Sequence, residues 1–419
     1  MKHLLSLNSY HYRRGGSDVV YFEHEALFAS LGWQTAHLSM QHPKNLPSPW
    51  SRYFIDEIEF GHSYGLLQKV MMAGKVVYSL EARRRLAALL AEFPADVAHV
   101  HCIYHHLSPS VLPLLRARGI PVVLTAHDLK VACPAYKMLN RGGVCERCRG
   151  GNLLHVVANR CVRDSLAASA VVALESTVAR TLGLWRNNVD RIVVPSRFYQ
   201  RKLQDWGWPA AQLVHIPNYV DASAHRPEPA PGDYFVYFGR LAPEKGVETL
   251  IRAAVAARVP LKIAGTGPME SGLRVLAAGQ PGIDLLGFVG GDALWNLVRG
   301  SRAVVLPSQW YENAPMSVLE AGALGKPVIG ANIGGIPELL VEGETGFVFE
   351  AGNVQALTQV LSEVRALPRS RLRDMGMAAR RHIETTFTRE RYRDAMLSLY
   401  ASLGVGGSLP KDVQDGRPD

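Results

Sequence analysis

Twice along this chain, short apolar runs of strand length alternate with longer amphipathic stretches, and a proline-rich segment divides the two series. In the first series the strand-like runs are residues 2–7, 35–38, 97–101 and 122–126, with helical stretches at 18–31 and 80–92. In the second they are residues 234–238, 261–264, 283–286, 303–306 and 327–330, with helical stretches that include 247–256. Strands alternating with helices require crossover connections, so each series implies a parallel, doubly wound α/β sheet. At 419 residues the chain is long enough for two such domains. The expected organisation is a first domain over 1–220, a linker over 221–232 carrying Pro227, Pro229 and Pro231, and a second domain over 233–385. A helix over 386–403 is placed to pack back across the seam. The Gly-, Ser-, Pro- and Asp-rich tail 404–419 is expected to be disordered.

The segment from Trp310 to Ile329 carries the densest chemistry. Glu312 and Glu320 stand eight residues apart with Pro315 between them. Pro315 suits the first helical turn, where its missing N–H is not needed. Val318, Leu319 and Ala323 supply an apolar face, and Gly325 stops the helix. The free N–H groups at the start of such a helix attract an anion. One carboxylate is then placed to accept from sugar hydroxyls and the other from a ribose, with a phosphate between them. The competing reading is an ordinary loop and helix with surface glutamates.

A second cluster runs from Tyr237 to Gly246, after a strand and before a helix. Gly239 permits a tight turn, Arg240 offers a planar fork to phosphate, and Lys245 adds a second positive charge. A pyrophosphate leaving group needs such neutralisation as its bond to the sugar breaks. An isolated Arg-x4-Lys pair is more often a solvated face. The glycine turn Ala264-Gly265-Thr266-Gly267-Pro268 follows the next strand and taken alone is a weak signal. Ligands in such sheets sit at the carboxyl ends of the strands, where all these loops fall.

These motifs resemble the retaining glycosyltransferases of the GT-B fold, specifically family 4 (glycosyl transferases group 1). The residues that carry the resemblance are Gly239-Arg240-Leu241 with Lys245-Gly246, Gly265-Thr266-Gly267-Pro268, and Glu312 with Glu320. Pro195-Ser196-Arg197-Phe198, Ile216-Pro217-Asn218-Tyr219-Val220-Asp221 and Gly15-Gly16 add to it. It covers essentially residues 1–400, strongly in the second half and more loosely in the first. It implies a central cleft between two doubly wound Rossmann-like domains, the first binding the acceptor and the second the donor. Arg240 and Lys245 would hold the donor diphosphate. Glu320 would accept from the ribose, Glu312 would contact the donor sugar, and backbone amides near Ser317, Val318 and Leu319 would meet the distal phosphate. Gly15 and Gly16 would approach the same diphosphate from the first domain, and Gly265 and Gly267 would line the donor site. The family usually has Gly where this chain has Tyr219, which questions the backbone of that turn.

His127 ends a strand-like run in the first half. An imidazole there can hydrogen-bond the donor sugar or orient the acceptor, and the family also has a histidine lining the active site at this place. The alternative is a satisfied structural histidine. Asp128 either orients the ring of His127 or caps the next turn. The other fourteen histidines, His99, His101, His105 and His106 among them, are structural or acceptor-side candidates. No Asp-x-Asp triplet occurs in the chain. Charge neutralisation by Arg240 and Lys245 therefore implies catalysis with no metal cofactor. Retention of the anomeric configuration is implied by the resemblance alone.

Four of the five cysteines fall in an insertion at about 130–165, with the spacing Cys133-x11-Cys145-x2-Cys148-x12-Cys161. Arg141, Arg147, Arg149 and four glycines surround them. The inner pair and the two outer residues suit tetrahedral thiolate zinc in a structural role. An iron–sulfur cluster is the less favoured alternative, and small buried residues in a loop are the bland one. Disulfides do not suit a cytoplasmic chain.

The net charge of +9 is uneven. Residues 1–220 hold 25 Lys and Arg against 15 Asp and Glu, whereas residues 221–419 hold 21 against 22. The basic half suggests an anionic partner, such as phosphates or an anionic membrane surface. No helix-turn-helix, zinc-finger or RNP-like pattern appears, so nucleic acid is not expected. The apolar stretch from Leu166 to Trp185 is broken by Glu175 and Arg180, and the N-terminal apolar core is too short for a signal peptide. A cytoplasmic protein, peripheral on the inner face of the membrane, is expected. The resemblance thus implies transfer of a hexose-type sugar from a UDP- or GDP-sugar to a saccharide acceptor, lipid-linked and serving cell-surface polysaccharide assembly. The rivals are a soluble transferase acting on a small sugar or sugar phosphate, and a non-catalytic nucleotide-sugar-binding scaffold.

Overall fold

The structure, a computed structural model, describes residues 1–57 and 65–405. It contains two six-stranded parallel sheets. The first comprises β1 (His3–Leu7), β2 (Gln34–Leu38), β3 (Val97–Val100), β4 (Val122–Thr125), β5 (Arg191–Val194) and β6 (Leu213–His215). Their order is β2-β1-β3-β4-β5-β6. The second comprises β7 (Phe235–Phe238), β8 (Leu261–Ala264), β9 (Ile283–Gly287), β10 (Ala303–Leu306), β11 (Val328–Ala331) and β12 (Gly346–Phe349), in the order β9-β8-β7-β10-β11-β12. In both, the order reverses beside the first strand, which opens a crevice at the carboxyl ends of the strands. The central strands are buried on both faces. Leu5 pairs between Ala36 and Ala98, and all three are fully enclosed. Such strands read as near-continuous apolar runs: every residue of β3, β4, β7 and β10 is buried, with His99 in β3 and Thr125 in β4 as the polar exceptions.

Three of these twelve strands lie outside those expected from the sequence: β5, β6 and β12. Each is three or four residues long. Segments of that length give too few alternations to separate a strand from a loop.

Six helices position the residues discussed below: α1 (Gly16–Ser30), α2 (Leu166–Thr181), α3 (Val247–Ala257), α4 (Met316–Ala323), α5 (Arg369–Thr386) and α6 (Arg389–Ser402). No helix among the described residues is long and apolar enough to cross a membrane. The 221–232 segment runs along the end of α4, where the Lys326 ammonium donates to the Ala230 carbonyl (2.8 Å) and Gly325 turns with φ +73°. From there α5 packs on α4, and α6 returns to the first sheet. Tyr392, Met396, Leu399 and Tyr400 of α6 share one apolar cluster with Leu4, Val97, Val123 and Val193 from four strands of that sheet. Tyr219 joins the same cluster, and its hydroxyl donates to the Glu23 carbonyl (3.1 Å). Its φ is not positive, so the tyrosine sits in this turn without the strain that glycine would relieve. From residue 406 on, the tail lies outside the described residues.

Candidate active site

Three loops at the carboxyl ends of β7, β8 and β10 build one wall of the crevice. The loops after β7 and β8 lie backbone to backbone. The Leu241 amide donates to the Thr266 carbonyl (2.9 Å), and the Tyr237 hydroxyl donates to the Arg240 carbonyl (2.8 Å). A Cβ on Gly265 would stand 1.8 Å from the Gly239 carbonyl oxygen, and one on Gly267 would stand 2.3 Å from that of Leu241. Glycine at these positions is therefore a steric requirement of the close approach. Arg240 is exposed on this wall. Lys245 ends a short 3-10 turn, and Gly246 (φ +66°) then opens α3 against the Pro307 carbonyl.

The Lys245 ammonium meets Glu312 Oε1 at 2.6 Å, and the Ser308 hydroxyl donates to the same oxygen at 2.6 Å. Glu312 is buried, and Lys245 also lies 5.1 Å from the centre of the Trp310 ring. One carboxylate oxygen of Glu312 thus holds the lysine in place while the other is not used by this pair. Gly334 and Gly335 pack against the backbone of Glu312 and Asn313, and the Gly335 amide donates to the Glu312 carbonyl (2.8 Å). The carboxylate is fixed from both sides.

Pro315 is the residue before α4 rather than its first residue, and no side chain caps the helix. The Val318 amide already donates to the Pro315 carbonyl (3.1 Å), so the amides without an intrahelical acceptor are those of Met316 and Ser317. The side chains of Val318 and Leu319 lie in the core. One turn inside, burial alone pushes the Glu320 carboxyl up to about 7. From the opposite domain, Gly16 presents the first turn of α1 to this one, and a Cβ there would stand 3.4 Å from Met316 Cγ. The loop before Gly15 is braced by Asp18, which accepts from the Asn8 side chain (3.1 Å) and from the Arg14 amide (3.2 Å). Two helix N-termini with positive dipole ends therefore converge across the crevice, an arrangement suited to an anion.

His127 follows β4. Its Nε2 lies 2.8 Å from His101 Nδ1, the two rings stack with centres 5.1 Å apart, and burial pulls the imidazole down to about 4. It is neutral at physiological pH. Asp128 does not orient it. That carboxyl accepts from the Tyr104 hydroxyl and the Lys130 amide, and burial pushes it up to about 7. Next to His127, the Ala126 carbonyl accepts from Asn313 Nδ2 (2.7 Å), and Asn313 Oδ1 accepts from the Ser196 hydroxyl (2.8 Å). A single amide side chain thus joins the strand end that carries His127 to the loop that carries Glu312.

Sequence reasoning left two of these residues unassigned. His101 stood among many histidines, and nothing in its spacing distinguishes it. Asn313 falls in the segment from Trp310 to Ile329, but its bond across the crevice has no local signature. A third set was also missed. Among the described residues, the group of three whose ligand atoms lie within 4.8 Å of one another is His11, Glu25 and His37. These side chains have protein partners: His37 Nδ1 with Glu25 Oε1 (2.5 Å) and His11 Nδ1 with the Tyr21 hydroxyl (2.9 Å). Cys133, Cys145, Cys148 and Cys161 are free thiols; Cys161 packs against both the cluster that holds Cys133 and the one that holds Cys148, and no three of the four sulfurs lie within that distance of one another.

The two halves of the chain match two known families. Residues 222–382 match the glycosyl transferases group 1, and residues 62–219 match the glycosyl transferase 4-like domain. The sulfoquinovosyl transferase of Arabidopsis thaliana is 27% identical over 325 residues, which is 74% of this chain and 57% of that protein. The GDP-mannose-dependent alpha-(1-6)-phosphatidylinositol monomannoside mannosyltransferase of Mycolicibacterium smegmatis is 29% identical over 240 residues, 50% of this chain and 61% of that one. The matches thus span less than two thirds of either relative. Among solved structures, sucrose-phosphate synthase from Thermosynechococcus elongatus superimposes with a TM-score of 0.71 at 20% identity, covering 96% of this chain and 99% of its own. At that identity the likeness concerns the fold, two parallel-sheet Rossmann-like domains in the GT-B arrangement.

Proposed function

The chain belongs to the group 1 glycosyltransferases, and we propose that it moves a hexose-type sugar from a nucleoside diphosphate to an acceptor hydroxyl with retention at the anomeric carbon. The observation that supports this reading is the Asn313–Ala126 bond, which joins the strand end that carries His127 to the loop that carries Glu312. The donor lies along the second-domain wall. Its ribose hydroxyls donate to Glu320, its diphosphate takes Arg240, Lys245 and the Met316 and Ser317 amides, and its sugar donates to the free oxygen of Glu312. Gly15 and Gly16 close on the diphosphate from the first domain. As the sugar–oxygen bond lengthens, negative charge accumulates on the leaving phosphate. Arg240, Lys245 and the two helix ends stabilise it where it develops. Neutral His127 hydrogen-bonds the sugar without adding charge near the oxocarbenium-like centre. No metal ion is needed for this division of labour.

The acceptor we propose is a lipid-linked saccharide at an anionic membrane surface. The basic first half supports this, and the mycobacterial relative is named for a phosphatidylinositol-linked substrate. The test is transfer from UDP- and GDP-sugars to a polyprenyl-diphosphate saccharide in micelles and to free sugar phosphates, with the product anomer read by NMR. Product of retained configuration on the lipid-linked acceptor, unaffected by added magnesium or manganese, is expected. Transfer to a sugar phosphate alone would replace the acceptor assignment. Nucleotide binding without release of any sugar would replace the enzyme with a scaffold.

A further inference from the structure

The segment between β4 and α2 is poorly equipped to hold itself together. Its regular structure is a hairpin of two-residue strands, Leu139–Asn140 against Gly143–Val144, and the five-residue helix Leu154–Ala158. Five of the eight non-glycine residues with positive φ among the described residues fall in it: Tyr136, Met138, Arg160, Arg163 and Asp164. Leu129, Ala132, Cys133, Ala135 and Met138 belong to the core of the first domain; beyond them the segment's own apolar cluster has four buried members, Cys148, Leu153, Val156 and Ala173, the last from α2. A core of that size does not offset the ordering of some thirty residues, and small segments of this kind normally rely on a metal or disulfides.

Four thiols are gathered where such a staple would act. Cys161 packs against both the cluster that holds Cys133 and the one that holds Cys148. The Cys133 amide donates to the Leu129 carbonyl (2.7 Å) and its carbonyl accepts from the Tyr136 amide (2.8 Å), which fixes this cysteine in a tight turn. The Cys145 amide donates to the Met138 carbonyl (2.7 Å), which brings Cys145 alongside the turn that carries Cys133, and Cys148 follows it by three residues. Each of the six pairs among the four is within electrostatic reach. Four neighbouring thiols become compatible ligands as thiolates once a divalent cation lies between them. Arg180, whose guanidinium donates to the Ala132 carbonyl (3.0 Å), lies within reach of Cys133 and Cys148 and offsets part of the negative charge of such a complex.

We propose that Cys133, Cys145, Cys148 and Cys161 form a tetrathiolate site for one divalent metal ion of the zinc class. The four sulfurs close around the ion by side-chain rotation and release their protons to solvent. The consequence reaches the crevice. From this segment the Lys137 ammonium meets Glu244 of the second domain at 2.8 Å, and Glu146 accepts from the Tyr311 hydroxyl at 2.9 Å, one residue from Glu312. The metal thus fixes a clasp between the domains. Its presence does not depend on the transfer reaction, so failure of either proposal leaves the other standing.

The experiment uses the full chain, purified in zinc-containing buffer, dialysed, and analysed for metal by mass spectrometry. Retention of one equivalent of zinc is expected, with the four thiols protected from a chromogenic disulfide reagent until a chelator is added. Cobalt substitution should give the intense visible absorption and sulfur-to-cobalt charge transfer of a tetrahedral thiolate site. Cys145→Ser and Cys148→Ser should each weaken retention by at least tenfold and alter that spectrum. If a variant fails to fold, the cobalt spectrum of the unsubstituted chain decides. Thiols that react freely with no metal retained, an iron–sulfur chromophore, or cysteine pairs found as disulfides would each overturn the proposal.

Discussion

In the proposed donor site, Glu320 is the residue whose protonation is expected to couple to nucleotide binding. Burial raises its carboxyl to about 7 in the free protein. The folded chain therefore holds a proton there that the unfolded chain has released between the ordinary carboxylate range and neutrality. Stability contributed by the neutral form is present at low pH and lost as pH rises through about 7. Glu320→Gln removes that loss, and we expect it to stabilise the free protein by about 1–2 kcal/mol at pH 8 while leaving it unchanged near pH 4.5. The same variant should bind nucleotide more weakly at pH 8, because the ionised carboxylate is the better acceptor for two ribose hydroxyls. Thermal melts and calorimetric titrations at the two pH values check both signs.

His127 behaves oppositely. Burial keeps it neutral down to about pH 4, so it places no limb near pH 6.5 on the activity profile. Its geometry depends on His101, whose Nδ1 it contacts at 2.8 Å. His101→Phe preserves bulk and removes the bond. We expect kcat to fall roughly tenfold with a smaller change in donor KM, the signature of a misplaced catalytic group. Equal loss in both, or loss of fold by circular dichroism, would assign His101 a purely structural part.

At the scale of elements, α6 shows a helix expected from its sequence whose setting is fixed by tertiary contacts. Its apolar residues face the first sheet, and its tyrosines satisfy buried imidazoles. The Tyr400 hydroxyl lies 2.6 Å from His99 Nδ1 and 2.9 Å from His24 Nε2, and the Tyr392 hydroxyl lies 2.9 Å from His24 Nδ1. Tyr400→Phe leaves two enclosed ring nitrogens without that partner. A cost of about 2–3 kcal/mol follows, read as a lowered denaturant midpoint at unchanged slope. The helix itself was legible from its apolar spacing. The polar seam beneath it was not, because each bond joins residues more than 300 positions apart. The same limit hid Asn313, whereas Gly265 and Gly267 were legible because a strand followed by closely spaced glycines announces a tight backbone approach.

At the scale of the molecule, the two sheets were readable because their central strands are buried on both faces and stand out as apolar runs. The short edge strands β6 and β12 lack that signal. The donor wall was legible for a related reason: its groups come from loops at strand ends, each with its own local pattern. The closure of the two walls was not, since it rests on contacts such as Gly16 against Met316 and Lys137 with Glu244. The second domain is proposed to bind a nucleoside diphosphate through Arg240 and Lys245. The most direct measurement is a thermal-shift screen against UDP, GDP, ADP and their sugars, run on the unsubstituted chain and on Arg240→Ala/Lys245→Ala. Stabilisation by one base at saturating nucleotide, lost in the double variant, is the predicted result. At 100 times Kd it would amount to about 2.7 kcal/mol. No shift with any nucleotide, or an equal shift in the variant, would contradict the account.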